Sequence, residues 1–139
     1  MKRDARKESM QEGKESKYKN YPIDFSKMPC AYWSDSAKIS YLQRRIIVWS
    51  IMYYEHDESC VPDITYDEVS KQLVELQKSV SKQEWERSTY YYAMFDFTGS
   101  TGFDIPARLT KQDKAYLSRL ANVIHSQWKR VRLNYERRS

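Results

Sequence analysis

The feature that most constrains this chain is a pair of apolar stripes on either side of a short, proline-containing break. The first stripe has intervals of four, three and four residues: Leu42, Ile46, Trp49 and Tyr53. The second has intervals of three, four, three and four: Tyr66, Val69, Leu73, Leu76 and Val80. Such intervals place each set on one face of a helix. The sequence therefore predicts helices over about 37–57 and 63–80 that pack together as an αα-hairpin.

The break itself spans residues 57–62 and ends at Pro62. Proline disfavours helix at the residue before it and suits the entry to a new helix. Asp63 follows directly, and aspartate is a favoured N-cap because its carboxylate accepts a hydrogen bond from a first-turn N–H. We therefore expect Asp63 to cap the second helix.

The C-terminal part of the chain has a different pattern. Residues 89–97 are rich in tyrosine and phenylalanine, which predicts a small extended or β element around 89–105. Thr110 and Asp113 then resemble a capping box with aspartate in the place of glutamate. An apolar stripe follows and predicts a long helix over about 110–133: Leu117, Leu120, Ile124, Trp128 and Val131. The expected fold is mainly α, with this small extended element packed on the helices.

Length and charge divide the chain into a domain and two ends. With 139 residues and 14% aromatic side chains, the chain is expected to fold as one domain over 31–135. A flexible basic tail is predicted for residues 1–30, and a basic end for 136–139. Residues 1–20 hold seven Lys or Arg against four acids, and residues 128–139 hold five against one. These basic ends suit contact with nucleic-acid phosphates, although basic residues at a helix end also complement the helix dipole and aid solubility.

Several classes of protein are disfavoured. No apolar run approaches the roughly 18 residues that span a bilayer, and the charged start does not resemble a signal peptide, so a cytoplasmic protein without a membrane partner is expected. The two cysteines and two histidines lack the spacing of a metal site, and no disulfide framework is predicted. His56 and His125 are each expected at the surface or in a satisfied structural role.

The residues with recognisable chemistry lie across the predicted hairpin. Tyr53-Tyr54 is followed by Asp57, by Pro62-Asp63 and by Tyr66-Asp67, and a leucine-rich helix comes next. The segment from about Ser40 to Lys78 resembles the N-terminal Ia domain of bacterial NAD-dependent DNA ligases, with the spacing of the motif preserved. That domain binds the nicotinamide mononucleotide (NMN) half of NAD.

The resemblance implies a cofactor-binding site made by five residues. The aromatic rings of Tyr53, Tyr54 and Tyr66 would lie against nicotinamide, and the carboxylates of Asp63 and Asp67 would meet polar atoms of the base and ribose. Tyr54 takes the place where some ligases have a phosphate-contacting histidine. NAD or NMN is accordingly the expected ligand.

The physical chemistry of these residues allows two interpretations. A cationic nicotinamide ring suits aromatic faces and nearby acids, and carboxylates accept hydrogen bonds from ribose hydroxyls or a carboxamide. Each residue also has a structural explanation: Asp63 as N-cap, Tyr53 and Tyr66 as core residues, and Asp67 as an acid that favours the helix dipole.

A complete ligase is excluded. Ligases accept AMP on the lysine of a Lys-x-Asp-Gly motif, and this chain contains no Asp-Gly pair. The loop Gly99-Ser100-Thr101-Gly102 offers a possible cradle for a phosphate, although a plain turn is the commoner role of such a sequence.

Three functions remain open. The first is a non-catalytic module that binds a nicotinamide nucleotide. The second is a small interaction protein of phage type that binds a host protein or nucleic acid through its aromatic C-terminal half and basic ends. The third is an enzyme that cleaves the nicotinamide bond of NAD, for which the sequence shows no clear nucleophile.

Overall fold

The computed structural model describes residues 25, 29–56, 61–99 and 104–138 of the chain. A 3₁₀ turn, Pro29–Tyr32, precedes helix α1, Asp35–His56. Helix α2 is Asp63–Ser79, and the short helices α3, Lys82–Glu86, α4, Tyr91–Met94, and α5, Ile105–Arg108, follow. Helix α6, Lys111–Arg138, is the longest. The three principal helices lie where the sequence predicts them, and the mainly α fold is confirmed.

Helix α1 is the centre of the molecule, and α2, α3, α5 and α6 all pack against it. Its length and its wide apolar arc allow this, since side chains on several sides of the helix are fully covered. The predicted αα-hairpin of α1 and α2 is therefore present, with α6 as a further partner of α1. The core contains these buried side chains from the three long helices: Ile39, Leu42, Ile46, Ile47, Val48, Ile51, Met52, Val69, Leu73, Leu117 and Ala121.

The start of α2 differs from the prediction in one detail. The N-cap is Pro62, whose extended backbone leads into the helix and whose side chain provides no cap hydrogen bond. Its carbonyl oxygen accepts hydrogen bonds from the N–H groups of Thr65 and Tyr66 at 3.0 and 3.1 Å. Asp63 is thus the first helical residue, where a carboxylate favours the helix dipole without capping the helix.

The prediction of an extended or β element around 89–105 is wrong, since none of the described residues lies in a strand and two short helices occupy this region. The cause is a contact across the fold. The side chain of Gln43, buried in α1, donates from Nε2 to Ser88 Oγ at 3.0 Å and accepts at Oε1 from the N–H of Tyr90 at 3.1 Å. This fixes a turn immediately before α4, and tertiary contacts of this kind override the β propensity of tyrosine and phenylalanine.

The capping prediction for α6 is confirmed for the Thr110 side chain, and Tyr92 takes the place expected of the Asp113 carboxylate. Thr110 Oγ1 accepts from the N–H of Asp113 at 3.1 Å, as the capping box requires. The carboxylate of Asp113 does not return to the N–H of Thr110. The hydroxyl of Tyr92 lies between them, because it accepts from that N–H at 3.2 Å and donates to Asp113 Oδ2.

The apolar stripe of α6 covers the core over only part of its length. Leu117 is fully buried, and Leu120 and Ile124 pack against the core, whereas Val131 is 67% exposed. Val131 thus lies in the predicted helix but beyond the part of it that the core covers. None of the helices in the described parts of the chain has the length and apolar character needed to cross a membrane.

Candidate functional site

The end of the α1–α2 hairpin carries two neighbouring tyrosine rings that the core does not cover. Tyr53 and Tyr54 lie in the last turn of α1, with 53% and 48% of their surface exposed. Their ring centroids are 4.8 Å apart with an interplanar angle of 57°. The sequence placed Tyr53 on the apolar stripe of α1, and its exposure shows that packing does not explain it.

Tyr66 lies on the other helix of the hairpin and is half-buried. Its ring packs on Trp49, with centroids 6.2 Å apart, and its hydroxyl lies 3.4 Å from Ser50 Oγ, both in α1. Burial raises the pKa of the Tyr66 phenol, the contact with Ser50 lowers it, and the charges of Tyr54 and Asp67 raise it further. Ser50 and Tyr54 are four residues apart in α1, so the Tyr66 hydroxyl contacts α1 one turn before Tyr54.

The two aspartates of the motif lie on one side of α2. Asp63 and Asp67 are four residues apart in the same helix, an interval that places them on adjacent turns of one face. Both are partly covered. The structure thus brings Tyr54, Tyr66 and Asp67 together, places Tyr53 beside Tyr54, and sets Asp63 one turn before Asp67.

Helix α6 packs against the last turn of α1, beside these tyrosines. Lys114 Nζ forms an ion pair with Glu55 Oε2 at 2.8 Å. His56 and His125 stack with ring centroids 5.0 Å apart and an interplanar angle of 13°. From the sequence, each of these two histidines is expected in a separate surface or structural role. Since they are 69 positions apart in the chain, no local spacing could have paired them.

The glycine loop is described only at its first residue. Gly99 has a φ of 92°, a left-handed conformation that glycine adopts without strain. Ser100, Thr101 and Gly102 lie outside the described residues, so the proposed phosphate cradle remains a prediction. Within the described parts of the chain, no group of three His, Cys, Asp or Glu side chains is arranged to hold a metal ion.

Comparison with known proteins gives no relative for this chain: no family model, curated protein or solved structure matches it. The resemblance of the segment from about Ser40 to Lys78 to the ligase Ia domain therefore stays a prediction from the sequence.

Proposed function

We propose that the chain is a non-catalytic module that binds a nicotinamide nucleotide, NAD or NMN, at the end of the α1–α2 hairpin. The observation that carries this proposal is the exposed pair of Tyr53 and Tyr54 beside Tyr66 and Asp67. Two adjacent tyrosine rings with about half of their surface in solvent offer aromatic surface that a planar ligand would cover.

The charge of the site supports the oxidised nicotinamide ring as that ligand. This ring is cationic, and a cation is attracted both to the faces of aromatic rings and to nearby carboxylates. Burial raises the pKa of Tyr66, and the neighbouring carboxylate of Asp67 adds to this rise. The same charge would favour a bound cation next to Tyr54.

The hydrogen-bonding groups of α2 support a nucleotide over a simple aromatic cation. Asp63 and Asp67 lie on one helix face at the hairpin end, and carboxylates accept hydrogen bonds from ribose hydroxyls or from the amide of nicotinamide. The ring would then lie against the tyrosines while the ribose faces the acids.

Isothermal calorimetry against NMN and NAD tests the proposal. We expect saturable binding, weakened about 2- to 30-fold in Tyr54→Ala, the range that corresponds to loss of one cation–π contact. Asp67→Asn should also weaken binding. Tyr32→Ala is the matched control, since it removes another exposed tyrosine, outside the hairpin end, and should leave affinity unchanged.

Comparing the affinities of related ligands tests whether the nicotinamide half of NAD is the part that binds. NADH, whose dihydronicotinamide ring is uncharged, should bind more weakly than NAD, and AMP should not bind. Equal affinity for NAD and NADH, or unchanged NMN affinity in Tyr54→Ala, would contradict the proposal. Release of nicotinamide during the titration would instead favour an NAD-cleaving enzyme.

A further inference from the structure

The C-terminal half of α6 stands clear of the core. Contacts with the core extend to Ile124, and beyond them Val131 and Leu133 are 67% and 47% exposed. Helix α6 has 28 residues and is therefore about 42 Å long at 1.5 Å per residue. A segment of continuous helix thus extends beyond the surface that α1 and α2 form.

The exposed face of this helix carries charge of one sign. The sequence contains no acid between Lys114 and Asn134. Arg119, Lys129 and Arg130 are all exposed. Arg119 and Arg130 are 11 residues apart, which places them on the same side of the helix and about 16 Å apart along its axis. Guanidinium and ammonium groups on one exposed side of a helix can each contact a phosphate of the same nucleic acid.

Trp128, whose ring is among the described side chains of this segment, is already engaged within the helix. The ring of Trp128 stacks on His125, with centroids 6.0 Å apart, and Arg132 lies over it with its guanidinium carbon 4.6 Å from the centroid. Single-stranded nucleic acids are bound mainly by stacking of bases on available aromatic rings. The observed contacts of Trp128 therefore favour a double-stranded ligand, which is bound through its phosphates.

We propose that the exposed face of α6, defined by Arg119, Lys129 and Arg130, binds double-stranded DNA through backbone phosphates. This face is continuous along the outer side of α6, and its positive charge complements the phosphates of a duplex. This surface does not depend on the nicotinamide site, and either proposal can fail without the other.

Fluorescence anisotropy of a labelled 20-base-pair duplex, with the full chain and a series of salt concentrations, tests this inference. We expect Lys129→Gln with Arg130→Gln to weaken binding roughly tenfold or more at low salt. Each lost phosphate contact removes about 0.9 from the slope of log K against log salt, so the double variant should lower the magnitude of that slope by about two.

Two controls make the result specific. Lys2→Gln with Arg3→Gln removes the same charge from the N-terminal segment and should leave the slope unchanged. Lys129→Arg with Arg130→Lys keeps the charge and should retain binding. The inference is overturned if both double glutamine variants have the same effect, or if a single strand of equal length binds more tightly than the duplex. It is also overturned if poly-glutamate competes as well as duplex, which would indicate an acidic protein partner.

Discussion

Gln43 is a fully buried polar side chain in the central helix, and its two hydrogen bonds connect α1 to the turn before α4. Gln43→Leu keeps the volume approximately but leaves the N–H of Tyr90 without its acceptor in a buried position. A buried group that loses its partner costs about 1–3 kcal/mol. We expect the free energy of unfolding, measured by urea denaturation, to fall by about that amount.

Gln83→Leu is the control for Gln43→Leu, because Gln83 is exposed in α3. Surface substitutions of this kind change stability by no more than about 0.5 kcal/mol. If Gln43→Leu lowers the free energy of unfolding as little as Gln83→Leu does, the turn is held by other contacts.

The contact between Arg108 and Asp96 makes the stability of the protein depend on pH. Its guanidinium donates to both carboxylate oxygens of Asp96, at 2.6 and 3.2 Å, and holds the pKa of Asp96 below its ordinary value. A carboxyl with a lowered folded-state pKa stabilises the protein above its unfolded-state pKa of about 3.9, and the contribution is lost as the pH falls through the folded-state pKa.

We therefore expect Arg108→Met to lower the urea midpoint more at pH 6 than at pH 2.5, because the contribution of ionised Asp96 is progressively lost as the pH falls. The variant also removes the ion pair of Arg108 with Asp104. The effect should be small and should shrink with added salt, because both groups face solvent. Arg119→Met replaces an exposed arginine of α6, and its effect on the urea midpoint should not depend on pH. An equal loss at both pH values for Arg108→Met would contradict the assignment to Asp96.

At the scale of elements, the N-terminus of α6 depends on a tyrosine that precedes it by 18 positions. The hydroxyl of Tyr92 connects the N–H of Thr110 to the carboxylate of Asp113. Tyr92→Phe removes that connection and should cost about 1 kcal/mol, the usual effect of a lost cap. Tyr116→Phe, an exposed tyrosine within α6, should leave thermal stability unchanged, and an equal shift of both melting temperatures would exclude the capping role of Tyr92.

The same cap shows what a sequence can predict about an element and what it cannot. Thr110 and Asp113 are three residues apart, so their hydrogen bond follows from local spacing and is confirmed. Aspartate is one methylene shorter than glutamate, and the hydroxyl that completes the cap comes from outside the helix. No pattern in residues 110–113 contains Tyr92.

The short helices α4 and α5 also depend on contacts with residues that are distant in the sequence. Residues 89–97 have the composition of a strand, but the buried contacts of Gln43 with Ser88 and Tyr90 are separated by 45 and 47 positions in the chain. The long helices were predictable because their apolar intervals are local. At the candidate site, the motif placed the tyrosines and aspartates at the hairpin end, whereas the exposure of Tyr53 depended on how far α2 covers α1.

At the scale of the whole molecule, α6 has one part that packs against the core and one part that projects from it. Leu117 is fully buried against the core, whereas Leu133 is 47% exposed in the projecting part. Leu117→Ala removes buried methyl groups and leaves a cavity, so we expect the free energy of unfolding to fall by about 2–5 kcal/mol. Leu133→Ala makes the same chemical change where solvent already contacts the side chain, so its effect should stay within about 0.5 kcal/mol.

Urea denaturation at several protein concentrations measures both leucine variants and also tests whether the projecting part has a hidden partner. If a second copy of the chain covered Leu133, Leu133→Ala would cost as much as Leu117→Ala and the midpoint would rise with protein concentration. A small, concentration-independent effect for Leu133→Ala is expected instead. In that case the helix beyond Ile124 contributes little to the stability of the monomer, and its basic face remains accessible to duplex DNA.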